Sequence, residues 1–136
     1  MGLVNLDYFP NVVDANAECY RTYSKALADV NGIRLIPHHP ATTPNYQYVV
    51  VEMEQGEELR DRIIMALHAE NVLARKYFWP GCHRMKPYRD LFPHSHLFLN
   101  NTEQCSKRII VLPTGESMTN ERIESVSNCI RHLVSM

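Results

Sequence analysis

The chain has 136 residues, 45% of them hydrophobic and 21% charged, with a net charge of -1. That length suits one ordinary domain with a real core, and that composition excludes a disordered chain. The near-neutral charge gives no electrostatic case for a nucleic-acid partner or an anionic membrane surface.

The opening Met1-Gly2-Leu3-Val4-Asn5-Leu6-Asp7 lacks a basic region followed by an apolar one, so it does not read as a secretory signal. Its sixth residue is Leu6 rather than Ser or Thr, which argues against a myristoylation start. Pro10 is tolerated at a helix start and costly inside, so a helix is expected after Asn11. Cys19, Tyr23, Leu27 and Val30 recur at helical spacing and define its buried face. Asn31-Gly32 closes it. Ile33 to Ile36 reads as a short strand, followed by a loop with three prolines, Pro37, Pro40 and Pro44. Tyr46 to Met53 is the clearest strand. Its Tyr48-Val49-Val50-Val51 run is too continuous for a sheet with one wet face and predicts a central position.

Glu57 to Asn71 predicts a helix with two acids in its first turn. Leu59, Ile63 and Leu67 line its inner face, widened by Ile64 and Met65. The run Glu57-Glu58-Leu59-Arg60-Asp61-Arg62 reads as a solvated helix start with local ion pairs. Val72 to Phe78 is expected as a strand, Asp90 to His94 as loop, and Ser95 to about Lys107 as helix with Leu97, Leu99 and Cys105 partly buried. Arg108 to Leu112 is a strand ending at Pro113. The last helix starts near Thr119, an N-cap residue, and buries Ile123, Val126, Ile130 and Leu133. Interleaved strands and helices predict an α/β fold, with helices packed on a small mixed or antiparallel sheet. Residues 1–136 read as a single domain, and no run of about 18 apolar residues predicts a membrane span.

Cys19, Cys82, Cys105 and Cys129 are far apart and form no C-x-x-C pair. They are read as reduced thiols of a cytoplasmic protein rather than a zinc site or a disulfide framework. His38-His39 and His94-x-His96 lack metal-ligand spacing and read as loop histidines, so no metal is expected. The stretch Tyr77 to Arg89 has no structural period and mixes the single Trp with Pro, Gly, His and Arg. That composition suits a shaped loop, and loops on rigid scaffolds often carry binding residues. His83 and Arg84, with Arg89, have the donors an anionic ligand requires. Cys82 beside His83 makes a poor nucleophile–base pair, because such pairs are normally distant in sequence. Tyr77, Phe78 and Trp79 read as a packed loop base rather than a stacking platform for bases. No phosphate loop, nucleophile elbow or paired-carboxylate signature is present, so no catalytic residue is assigned.

Val72 to Arg89 resembles the small-domain segment of the DegT/DnrJ/StrS family. These are pyridoxal-phosphate-dependent aminotransferases that act on nucleotide-linked keto-sugars. The family pattern there is aromatic-Pro-x-x-His-x-x-x-x-Tyr, matched by Tyr77 or Phe78, Pro80, His83 and Tyr88. Ile110-Val111-Leu112-Pro113-Thr114-Gly115, followed by Met118-Thr119, resembles the family's Leu-Pro element before its last helix. The opening resembles the entry into the long helix that links the large and small domains, here residues 1–30.

The resemblance implies the small C-terminal domain of the type I aspartate-aminotransferase fold. It also implies that the chain starts at an internal position of the family pattern, as a fragment, a truncated gene or a separately encoded half would. The Schiff-base lysine and most cofactor contacts belong to the family's large domain. None of Lys25, Lys76, Lys86 and Lys107 lies in the family's lysine motif. The resemblance therefore implies no cofactor for these residues alone, pyridoxal phosphate in the intact enzyme, and no amino transfer without the large domain. His83 and Arg84 become the expected substrate-binding residues for a nucleotide-linked sugar. A loop-bracing hydrogen bond is the competing role for His83. A stand-alone interaction or regulatory module, self-associating through apolar surface that a large domain would cover, is the alternative.

Overall fold

The computed structural model describes residues 2–136. Met1, the first residue of the opening segment discussed above, lies outside them. Helix α1 spans Gly2–Ala26, followed by strands β1 (Ile33–Leu35) and β2 (Val49–Met53). Helix α2 (Glu57–Ala69) leads into the short strand β3 (Arg75–Lys76). Beyond it come a 3-10 turn at Cys82–Arg84, the four-residue helix α3 (Tyr88–Leu91) and a 3-10 turn at Ser95–Leu97. Helix α4 (Asn100–Arg108), strand β4 (Ile109–Leu112) and helix α5 (Asn120–Val134) complete the chain.

The sheet order is β1-β2-β4-β3, with every neighbour antiparallel. Val51 sits at its centre, opposite Leu35 on one side and Ile110 on the other. The β-branched run of β2 therefore occupies the central place its sequence predicts. Burial along it alternates, however. Val49, Val51 and Met53 are sealed, whereas Val50 and Glu52 are half-buried. The second face is not covered by a helix layer as an all-apolar run suggests. On that side Glu52 pairs with Arg34 across the strands at 2.6 Å.

Helix α5 packs against both α1 and α2. Ile123, Val126 and Ile130 point into the core with Tyr23, Leu27, Leu59, Ile63 and Leu67. Fully burying an aliphatic side chain of this size contributes roughly 1.5–3 kcal/mol, so this layer is a major contribution to the fold's stability. The Thr119 hydroxyl accepts a hydrogen bond from the Arg122 backbone N–H at 3.4 Å and caps α5 as expected.

Three expectations are corrected. Helix α1 runs unbroken through Pro10. The proline removes one backbone bond, but residues 2–11 are exposed, so the freed carbonyl is not sealed away from solvent. The Tyr8 hydroxyl also donates to the Glu116 carboxylate and ties this half of α1 to the β4–α5 connection. The expected strand Val72–Phe78 shrinks to Arg75–Lys76, because Phe78 takes a positive φ and turns the chain away. Finally, the region read as one helix from Ser95 splits into a 3-10 turn and α4, while Tyr88–Leu91, read as loop, is helical. Leu97, Leu99 and Cys105, expected partly buried, are all exposed, as is Met65 on α2.

Candidate functional site

The loop from Tyr77 to Arg89 is fixed at three points. The first is Arg60. Its place in α2 puts it on the same stripe as Ile63, Ile64 and Leu67, and its side chain is fully buried. This overturns the reading of residues 57–62 as entirely solvated, although the local pairs are present. Nε donates to Asp61 at 2.7 Å and Nη2 to Glu57 at 3.1 Å. Nη1 donates to the Ser106 carbonyl on α4 at 2.6 Å. The guanidinium carbon lies 4.3 Å from the centroid of the Trp79 ring. Arg60 thus joins α2, α4 and the loop through one planar group, as a rigid fork with an aromatic-stacking face allows. Lys76 adds a salt bridge to Asp61 at 2.9 Å and lies 5.3 Å over the same indole. Partial burial pushes the Asp61 carboxyl up, but the hydrogen bonds from Arg60 and Lys76 outweigh it and hold the group below the usual range.

The second point is Gly81, whose φ is +101°. A Cβ there would lie 2.7 Å from Cε1 and 2.9 Å from Nδ1 of His83. Glycine is needed both for the left-handed backbone and for the imidazole that packs on it.

The third point is Glu103 on α4. Its Oε1 lies 2.6 Å from Nε2 of His83 and accepts from Nε of Arg84 at 2.5 Å. Its Oε2 accepts from Nη2 of Arg84 at 2.9 Å. The hydrogen bonds from Arg84 and then His83 hold the Glu103 carboxyl at about 2, against the opposing effect of desolvation. The two residues singled out from sequence are therefore brought together, on a carboxylate that sequence reading missed. Arg89 lies nearby but bonds Asp90 instead, at 3.2 Å.

Two concavities flank this clamp. One is an open apolar groove of about 730 Å³, walled by Tyr77, Phe78, Tyr88, Phe92, Leu99 and Ile109, with His83 at its edge. The exposed thiols Cys82 and Cys105 also face it. All four cysteines are free; burial pushes the Cys19 and Cys129 thiols up and makes them poor nucleophiles. The other cavity, of about 450 Å³, is lined by Pro80, His83, Arg84, Arg89, Pro93, Ser95 and His96. Among the described residues no three His, Cys, Asp or Glu side chains converge as metal ligands, and no helix is long and apolar enough to cross a membrane.

A Schiff-base cofactor needs a lysine aimed into a cavity. Neither concavity is lined by one. Lys76 is held by Asp61, and Lys86 lies 3.5 Å from Asp90. The residues present do not fit pyridoxal phosphate as a covalent ligand.

A model of the DegT/DnrJ/EryC1/StrS aminotransferase family matches residues 1–131. The chain belongs to this family. It is 25% identical over 130 residues to dTDP-4-amino-4,6-dideoxy-D-glucose transaminase of Escherichia coli, a match covering 95% of this chain and 35% of that protein. It is 36% identical to DesI, whose crystal structure was determined in the presence of its TDP-sugar product. There the TM-score is 0.84, over 99% of this chain and 34% of DesI. The Helicobacter pylori aminotransferase PseC, involved in pseudoaminic acid biosynthesis, shares the fold at 19% identity, with a TM-score of 0.82 over 98% of this chain and 36% of PseC. The chain spans about a third of the length of each relative. Its helices on a four-stranded antiparallel sheet form the small-domain architecture of the aminotransferase fold that the resemblance implied.

Proposed function

We propose that this chain is the C-terminal domain of a pyridoxal-phosphate-dependent aminotransferase acting on a nucleotide-linked keto-sugar. Residues 1–136 would form that one domain, and residues 1–30 would include the helix that joins it to the large domain. The observation that carries the reading is the 36% identity to DesI across 99% of this chain, together with the family match. The loop at 77–89 would form one wall of the sugar-nucleotide side of the site, with His83 and Arg84 as its substrate contacts. Pyridoxal phosphate supplies the electron sink for amino transfer once a lysine anchors it. The lysines here are placed elsewhere, so the chain alone is expected to be inactive and to take up no cofactor at stoichiometry. No membrane or nucleic acid is expected as a partner, and the free thiols support a cytoplasmic setting.

The test of the site is His83→Ala in the enzyme reconstituted with a large-domain fragment. A fall in kcat/KM is expected, and an unchanged value removes His83 from the site.

A second reading has its own observation. Phe78, Leu91, Phe92, Leu97 and Phe98 are each more than half exposed, within one short stretch of chain. Apolar surface of this kind marks an interface. In a stand-alone interaction or regulatory module, it would drive self-association. Light scattering separates the readings: a monodisperse monomer argues against an obligate self-interface.

A further inference from the structure

The chain exposes 9183 Å² of surface, whereas a folded monomer of 15.8 kDa exposes about 7,300 Å². The excess, roughly 1,900 Å² per copy, falls in the range that an obligate homodimer buries when counted over both copies. Two exposed apolar surfaces contribute to it. The first is the leading half of α1. Leu3, Leu6 and Pro10 fall at i, i+3 and i+7, one face of a helix, with Phe9 beside them. Leu3 is 80% exposed, Leu6 66% and Phe9 50%. Tyr8, two residues beyond Leu6, lies about 200° further round the helix, and its hydroxyl donates to the Glu116 carboxylate. The helix is thus tied down on one side and presents its apolar stripe on the other.

The second surface is the groove of about 730 Å³ between the loop and α4. Phe78, Tyr88 and Phe92 on its walls are each more than half exposed. Ser95, Asn101 and Thr102 add polar groups to its lining. Apolar grooves of this kind receive the apolar face of an amphipathic helix.

Helix α1 cannot bend into its own groove. It is continuous from Gly2 to Ala26, Cys19 and Tyr23 seat its second half in the core, and Tyr8 ties its first half to Glu116. A helix that enters the groove therefore comes from another molecule. With a net charge of -1, two copies repel each other little. One-way docking would leave a helix and a groove open at the ends of a growing chain, whereas reciprocal docking closes both in a twofold dimer.

We propose that the groove is a docking site for the first half of α1 of a second copy, and that two copies exchange these helices reciprocally. The inference deepens the second reading above, on which it rests, by naming the two surfaces that associate.

The experiment is light scattering on the full chain at tens of micromolar, combined with cysteine cross-linking. The wild type is expected at twice the chain mass of 15.8 kDa. Leu6→Glu on the helix and Phe92→Glu on the groove wall should each give a monomer with an unchanged circular dichroism spectrum. Mixing the two variants should restore a dimer of one copy of each, because one intact helix then meets one intact groove. Leu6→Cys, under mild oxidation, should form a disulfide with Cys82 or Cys105 of the other copy, the native thiols that face the groove. Val4→Cys, on the opposite side of the helix, should not. A wild-type monomer overturns the inference together with the self-association reading. A dimer that survives both glutamate variants, or in which Leu6→Cys forms no bond to Cys82 or Cys105, overturns the inference and leaves that reading standing. A monomer whose Cys82 and Cys105 are shielded from alkylation only by a co-expressed large-domain fragment gives the groove to that domain and also overturns it. Should either glutamate variant unfold, the two cysteine variants still decide.

Discussion

The guanidinium of Arg60 lies 4.3 Å from the centre of the Trp79 ring and donates to the Ser106 carbonyl at 2.6 Å. One buried cation thereby seats the site loop on two helices. Arg60→Met would keep much of the volume but orphan the Ser106 carbonyl and lose the stack. Leaving a buried acceptor unpaired costs about 1–3 kcal/mol. A destabilisation of that size is expected, read from the urea midpoint. Arg60→Lys should not rescue it, because an ammonium cannot bond three partners in one plane and lie flat on an indole.

Gly81→Ala tests the second anchor. A side chain at φ +101° is strained and would overlap the His83 ring. Backbone strain of this kind costs roughly 1–3 kcal/mol. The thermal midpoint should fall accordingly, and the His83–Glu103 contact should be lost from the NMR spectrum. Gly115→Ala, also at positive φ but with open space at its Cβ, should cost less.

Acid should open the clamp. The folded-state Glu103 carboxyl sits at about 2, below its ordinary 4.5. A depressed carboxyl stabilises the fold above its unfolded value, and that contribution is lost as pH falls from about 4.5 through about 2. Glu103→Gln should remove this part of the acid sensitivity. Urea midpoints measured across that window should then fall less steeply for the variant than for the wild type.

At the far end of the core, Thr119→Ala removes the cap of α5. Such changes cost about 1 kcal/mol, which should lower the thermal midpoint without touching the loop.

The frame of the fold was legible because its residues repeat locally. Ile123, Val126 and Ile130 announce α5 by spacing alone, and the valines of β2 announce a central strand. Arg60 also left a signal: it falls at i with Ile63, Ile64 and Leu67 at i+3, i+4 and i+7. A charge on an apolar stripe marks a buried, partnered cation. The pairs at Glu57 and Asp61 hid it, since they look like ordinary surface salt bridges. Glu103 left no signal. Its partners are 20 and 19 residues away, and α4 is too short and polar to show which face turns inward. The loop's irregular path was legible in its composition, but what holds it depends on tertiary contacts that no local pattern encodes.

The central claim is that these residues supply the small domain of a sugar aminotransferase, whose cofactor lysine belongs to a large domain. Borohydride trapping with pyridoxal phosphate tests it most directly, on the chain alone and on the chain co-expressed with a large-domain fragment. The account predicts no stoichiometric adduct on the chain alone, and in the complex one adduct, on a large-domain lysine. A stoichiometric adduct at Lys25, Lys76, Lys86 or Lys107 would contradict it.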